Sequence, residues 1–328
     1  MYGIGFCGLK HRHVFDLLKL ARKNNDVTVI GAFEPDELYT QKAAGEFERF
    51  YETYEQMLCD PRIQIIAVGD AYGNRGEEII AALNAGKHVL SDKPLCTRTE
   101  ELTAIRKISA EKHLSVGCML DLRYDPSLRI AAELVSNGEI GTIHAVNFTG
   151  QHPLNYGVRA DWYFQENLHG GTFNDLIIHG IDAVSYITGL KQLKVHCARS
   201  FNAFACQVPN FRDCAQMIGE YENGAGLIAD VSYSAPSGSA YQLPSYWRFS
   251  FWGSRGMIEC KLASGTVLLT KEHEEMQTLK AECIDGDCLT DLIKMIRGEA
   301  CFFERESVFR STKISLEIQK CADNYQKQ

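Results

Sequence analysis

The chain has 328 residues, with 34 Lys and Arg against 42 Asp and Glu, a formal net charge of −8. Hydrophobic residues make up 45% and charged residues 23%, a globular composition that excludes disorder and collagen and suits two domains at this length. The acidic balance argues against nucleic acid as a main partner, because phosphate recognition needs a basic face.

Residues 2–7 (YGIGFC) read as a buried strand, and residues 14–24 as a helix with Val14, Leu17, Leu18 and Ala21 on one face. Apolar strands are expected at 27–33, 63–69, 88–91 and 115–120, with helices at 77–85, ended by Gly86, and at 99–112. Strands spaced by helices imply βαβ units and a doubly wound parallel sheet. From residue 143 the pattern changes to strands at 143–149, 194–203, 214–221, 226–233, 246–252, 257–262 and 266–271. Helices are expected at 126–137, 174–188, 287–297 and 305–324. The fold class is thus α/β over residues 1–122, followed by an α+β domain with a mostly antiparallel sheet over residues 123–328.

No stretch approaches the roughly 18 apolar residues of a membrane helix. The first ten residues, MYGIGFCGLK, lack the basic and apolar regions of a signal peptide. The twelve cysteines form no C-x-x-C pair, so most are expected to be reduced, buried thiols, and a cytoplasmic location is expected.

Gly3-Ile4-Gly5-Phe6-Cys7-Gly8 matches G-x-G-x-x-G, but no strand can precede Gly3. The phosphate turn must follow the first strand, so it opens at Gly8, with Lys10 and His13 in place of the second and third glycines. Backbone N–H groups there, with Lys10 or Arg12, would face phosphates; a solvated strand-to-helix turn is the plainer alternative. His11, Arg12 and His13 side by side are a poor metal pattern, and no metal is expected. Glu34 ends the second strand, where a carboxylate accepts from ribose hydroxyls and repels a 2′-phosphate.

Ala85-Gly86-Lys87-His88-Val89-Leu90-Ser91-Asp92-Lys93-Pro94 closely resembles the AGKHV-x-x-EKP segment of the Gfo/Idh/MocA oxidoreductases. Gly170-Gly171 followed by Asp175-x-x-x-His179-x-x-Asp182 resembles the family's D-x-x-x-H-x-x-D block. Gly138-Glu139-Ile140-Gly141 and Gly253-Ser254-Arg255-Gly256-Met257-Ile258-Glu259 resemble its two glycine turns, and the likeness runs in order along nearly the whole chain. The resemblance implies an N-terminal Rossmann domain that binds NAD, or alternatively NADP. It further implies a large open C-terminal sheet that makes a homodimer or homotetramer, and sugar or polyol substrates. It places Lys93 near nicotinamide and substrate, and Asp175 and His179 at the reaction centre. The family's motif glutamate is Asp92 here, and its T-P-N-x-x-H segment becomes Asp70-Ala71-Tyr72-Gly73-Asn74-Arg75, with Tyr72 for asparagine and Arg75 for histidine. These departures fall around the cofactor, so His11, Asp70, Tyr72, Arg75, Asp92 and Pro94 join the expected cofactor site.

On an ideal helix over 174–188, Asp175, His179, Asp182 and Tyr186 share a stripe about 60° wide among apolar residues. Such a stripe faces a cavity or a partner; the alternatives are a Thr172–Asp175 capping box and a core histidine. Lys93 follows the end of a parallel strand, and Pro94 restricts its backbone. Arg123, Tyr124, His152, Tyr156, Arg159 and Trp162 are the further candidates to touch substrate, and a packed loop is the alternative for the last four.

The expected activity is hydride transfer between a nicotinamide and a hydroxyl-bearing carbon, with His179 exchanging the proton, Asp175 orienting it and Lys93 polarising the oxygen. Two rivals are a glycoside hydrolase that uses bound NAD transiently and a non-catalytic dinucleotide sensor. The partner expected is a small molecule, not a nucleic acid or a membrane.

Overall fold

The protein is described by a computed structural model covering residues 1–237, 247–282, 286–302 and 304–325. Short, continuously apolar runs build its first sheet. β1 (Tyr2–Cys7), β2 (Val27–Phe33), β3 (Ile65–Val68), β4 (His88–Ser91) and β5 (Val116–Cys118) lie in the order β2-β1-β3-β4-β5, all parallel. β3 is buried at every position, as a strand covered on both faces must be. Helix His13–Lys23 turns Val14, Leu17, Leu18 and Ala21 inward, the face its periodicity predicts.

Two features of this unit differ from expectation. Helix Tyr72–Asn84 starts five residues earlier than the apolar pattern suggests. Gly73 and Gly76 disguise its first turn, because glycine is a poor helix former. Each is demanded by close approach: a Cβ on Gly73 would lie 2.0 Å from the Asn167 carbonyl oxygen, and one on Gly76 2.1 Å from the Glu101 carboxyl. Helices Glu37–Lys42 and Tyr54–Cys59 were not expected; the first buries nothing and carries no apolar period to read. The same unit takes in Asn167–Gly170 and Gly286–Thr312.

The second unit is built on eight strands. β6 (Ile143–Pro153), β7 (Leu193–Phe201), β8 (Cys214–Tyr221), β9 (Gly226–Ala235), β10 (Trp247–Gly253), β11 (Gly256–Lys261), β12 (Thr266–Lys271) and β13 (Gln277–Lys280) lie in the order β13-β12-β11-β10-β6-β9-β8-β7. Only the β6–β9 pair among them is parallel. β8 alternates buried and exposed residues, the mark of a sheet with one covered face. Polar β13 was not expected, and residue 246 and Cys283 lie outside the described residues.

The expected helix 174–188 is two elements. A π-helical turn over Phe173–Ile177 leads into an α-helix over Ile178–Thr188, ended by Gly189 in the left-handed region. The wider π turn rotates Asp175 away from the position that a uniform α-helical period assigns it. The capping box does not form: the Thr172 hydroxyl donates to the Arg212 carbonyl, and the Asp175 carboxylate accepts from two phenols.

Candidate active site

In the first unit the turn after β1 is set by Gly8, whose φ of 71° favours glycine. A Cβ there would meet Asp70 Cβ at 2.4 Å and its backbone nitrogen at 2.6 Å, so the turn lies hard against the end of β3. Gly3, by contrast, is a strand glycine whose Cβ would strike the Arg62 carbonyl oxygen. Leu9 N–H donates to Glu34 Oε2 at 2.6 Å and Asp36 N–H to Glu34 Oε1 at 2.9 Å, which fixes the carboxylate at the end of β2. Burial pushes the Glu34 pKa up, against those two amides. Lys10 does not extend into solvent; its Nζ lies 2.9 Å from Asp70 Oδ1. Arg12 is exposed at the start of helix His13–Lys23.

The ends of β1, β3 and β4 converge on Asp92, which is fully buried. Its Oδ2 accepts from His11 Nδ1 and from Arg75 Nη2, the latter at 2.9 Å. Its Oδ1 accepts from the Lys93 N–H at 2.7 Å and lies 3.3 Å from His13 Nδ1. Burial disfavours charge on Asp92, but His11 and Arg75 outweigh it and hold the carboxyl well below the usual range. Burial lowers His11 to about 4 despite the carboxylate beside it, so its ring is neutral at neutral pH.

Arg75, also fully buried, spends its fork on the surrounding backbone. Nε donates to the Asp70 carbonyl at 2.8 Å, and Nη1 donates to the carbonyls of Lys93 and Pro94. The Lys93–Pro94 bond is cis. The ring of buried Tyr72 lies under this group: Arg75 is 4.6 Å and Lys93 Nζ 5.7 Å from its centroid, and the His169 ring lies tilted against it at 5.8 Å. The ligand-capable atoms of His11, His13 and Asp92 lie within 4.8 Å of one another. The fixed charge of Arg75 on the same carboxylate opposes a dication there.

The residues of this turn fit a dinucleotide. A glycine that no Cβ can replace opens it, a helix N-terminus follows, and a carboxylate is fixed at the end of β2.

In the second unit, Asp175 is fully buried and its Oδ2 accepts from the hydroxyls of Tyr163 and Tyr233, which lie 3.1 Å apart. The Arg159 guanidinium stacks 4.1 Å over the Tyr163 ring and donates to the carbonyls of Pro153 and Leu154. His179 and His152 each lie 5.8 Å from the Trp247 ring centroid, both edge to face. Asp182, on the same helix, is ion-paired with buried Arg123. Burial pushes Tyr186 up to about 12. Of the other expected substrate residues, Trp162 is buried, Tyr124 lies under Arg129, and Tyr156 is 49% exposed against Phe164.

Tyr163, Tyr233 and Trp247 were not foreseen. Nothing in the sequence sets Tyr233 apart: it continues the buried alternation of Leu227, Ala229 and Val231 in β9, which buried Ser232 interrupts. Tyr163 directly follows Trp162, one of the expected substrate residues, and no pattern in the sequence singles it out.

Residues 1–119 match the family model described as an oxidoreductase family with an NAD-binding Rossmann fold, and residues 128–259 match the GFO/IDH/MocA C-terminal domain. The chain is similar to the uncharacterized oxidoreductase YrbE of Bacillus subtilis, 30% identical over 203 residues. That match covers 59% of this chain and 55% of YrbE, so it spans little more than half of the relative. It is 26% identical to the myo-inositol 2-dehydrogenase of Thermotoga maritima over 244 residues, 73% of this chain and 69% of that one. A crystal structure of a protein from Erwinia carotovora atroseptica SCRI1043 superposes with a TM-score of 0.87 at 25% identity, covering 98% of this chain and 99% of the other.

Proposed function

As a member of the GFO/IDH/MocA oxidoreductase family, this chain, we propose, moves a hydride between a nicotinamide dinucleotide and a hydroxyl-bearing carbon of a sugar, polyol or derivative. One observation carries the reading. Lys93 stands just past the end of β4, where ligands of open α/β sheets bind, with its N–H held by Asp92 and its C=O by Arg75. A lysine so fixed can stabilise the oxygen of a reacting alcohol as it gains negative charge.

The nicotinamide, when bound, supplies the hydride chemistry. The turn from Gly8 to Arg12 binds the phosphates, and Glu34 takes the ribose hydroxyls. Glu34 also favours NAD over NADP, because its carboxylate repels a 2′-phosphate. Lys10 lies on Asp70 and leaves that preference intact. We assign the exchange of the hydroxyl proton to His179. Asp175 lies on the π turn before the helix that carries His179, and the two phenols that hold it fix that end of the helix. The exposed apolar residues Ile218, Ile228 and Trp252 suit the outer sheet face to association with further copies of the chain.

The test is a fluorescence titration with NADH and NADPH, followed by an assay of cofactor reduction on a panel of sugars and polyols. Tighter NADH binding and reduction of NAD with at least one panel member are expected. Cofactor that co-purifies and is never consumed would point to transient oxidation instead. Binding with no turnover would point to a sensor.

A further inference from the structure

Asp92, His11 and Tyr72 form one hydrogen-bonded chain drawn from the ends of three strands. Arg75 fixes the Asp92 charge, so Asp92 accepts and His11 Nδ1 carries the hydrogen. The neutral ring then offers a bare Nε2, which accepts from the Tyr72 hydroxyl at 3.2 Å. The Tyr72 ring underlies Lys93 Nζ, and the far oxygen of Asp92 takes the Lys93 N–H. The circuit therefore begins and ends on Lys93, and its middle member comes from the turn after β1.

We propose that His11 is a positioning residue for Lys93, acting through Tyr72 on one side and Asp92 on the other. The turn that takes the dinucleotide phosphates thereby also sets the residue that faces the substrate. This inference rests on the function proposed above for Lys93. The groups facing His11 are Asp92, Arg75, His13 and Tyr72.

Three variants test it. His11→Leu and Tyr72→Phe each break the chain. His11→Gln can restore it, because its amide donates to Asp92 and its carbonyl oxygen accepts from Tyr72. The first readout is competitive labelling of Lys93 with acetic anhydride, followed by peptide mass spectrometry; it needs no substrate. His11→Leu and Tyr72→Phe should raise the labelling rate about threefold or more, and His11→Gln should recover most of that change. The second readout is turnover on an active panel compound. The first two variants should lose about tenfold in kcat at saturating cofactor, and His11→Gln should recover most of that loss.

Wild-type labelling in both broken variants overturns the proposal, and so does a His11→Gln as defective as His11→Leu. Should His11→Leu fail to fold, Tyr72→Phe, which removes one hydroxyl, decides alone. A panel with no active member defeats the proposed function, while labelling still decides this inference.

Discussion

Arg75 and Asp92 meet at 2.9 Å with both side chains fully buried. Neither residue type is ordinarily placed in a core, and each makes the other tolerable there. Arg75 further ties the end of β3 to the backbone of Lys93 and Pro94. Removing one partner leaves a buried charge alone. Arg75→Met should therefore lose on the order of 3–5 kcal/mol of stability. The double variant Arg75→Met/Asp92→Asn should lose less than the sum of the two single losses. A double-mutant cycle by denaturant unfolding checks this; strict additivity would mean that the pair is not coupled.

The His11 imidazole gives stability a pH dependence whose sign is fixed. Its folded pKa of about 4 lies below the ordinary value of 6.5, so the unfolded chain binds the proton more readily. The contribution is fully present above pH 6.5 and is lost as pH falls toward 4. Melting temperature should drop more steeply over that window in the wild type than in His11→Gln, in which the other titrating groups are retained. Parallel melting curves across the window would contradict the assignment.

Glu34 is fixed by the amides of Leu9 and Asp36. Glu34→Gln removes the charge and keeps one acceptor oxygen for those two amides. The ratio of NADPH to NADH dissociation constants should fall by about tenfold, the worth of roughly 1.4 kcal/mol. An unchanged ratio would move the ribose contact elsewhere.

Gly8 and Gly3 both match the glycine pattern, yet their surroundings differ. Gly8→Ala forces a Cβ onto Asp70 at a φ of 71°, and NADH affinity should fall by about tenfold or more. Gly3 is no control, because its Cβ would lie 1.8 Å from the Arg62 carbonyl oxygen and would disturb β1 itself. Gly226→Ala, with nothing within 4 Å, serves as the control and should bind NADH normally. Equal losses in the two variants would place the phosphate turn somewhere else.

The parallel sheet of the first unit, and the strand over residues 2–7 that ends before Gly8, were legible because apolar runs of four to seven residues separated by helices imply βαβ units. Lys93, Asp92, Arg75 and Tyr72 could be read as a group from the segments flanking β3 and β4. Their mutual hydrogen bonds could not, since His11 reaches Asp92 across 81 positions of sequence. The phenols on Asp175 were hidden for the same reason: Tyr163 and Tyr233 lie on separate elements, the second 58 positions away. The polar stripe 175–186 was read on a uniform period, and the π turn breaks that period at its first member.

The central claim is that this chain reduces or oxidises its cofactor with Lys93 and His179 at work. The most direct measurement follows absorbance at 340 nm with NAD and the sugar and polyol panel, for wild type, Lys93→Met and His179→Asn at equal folded concentration. The account predicts NADH formation by the wild type with at least one compound. It predicts a loss of about 10²–10⁴-fold in His179→Asn, with NADH affinity little changed, and a comparable loss in Lys93→Met. Near-normal turnover in either variant, with at most a lower melting temperature, would remove that residue from the mechanism and contradict the account.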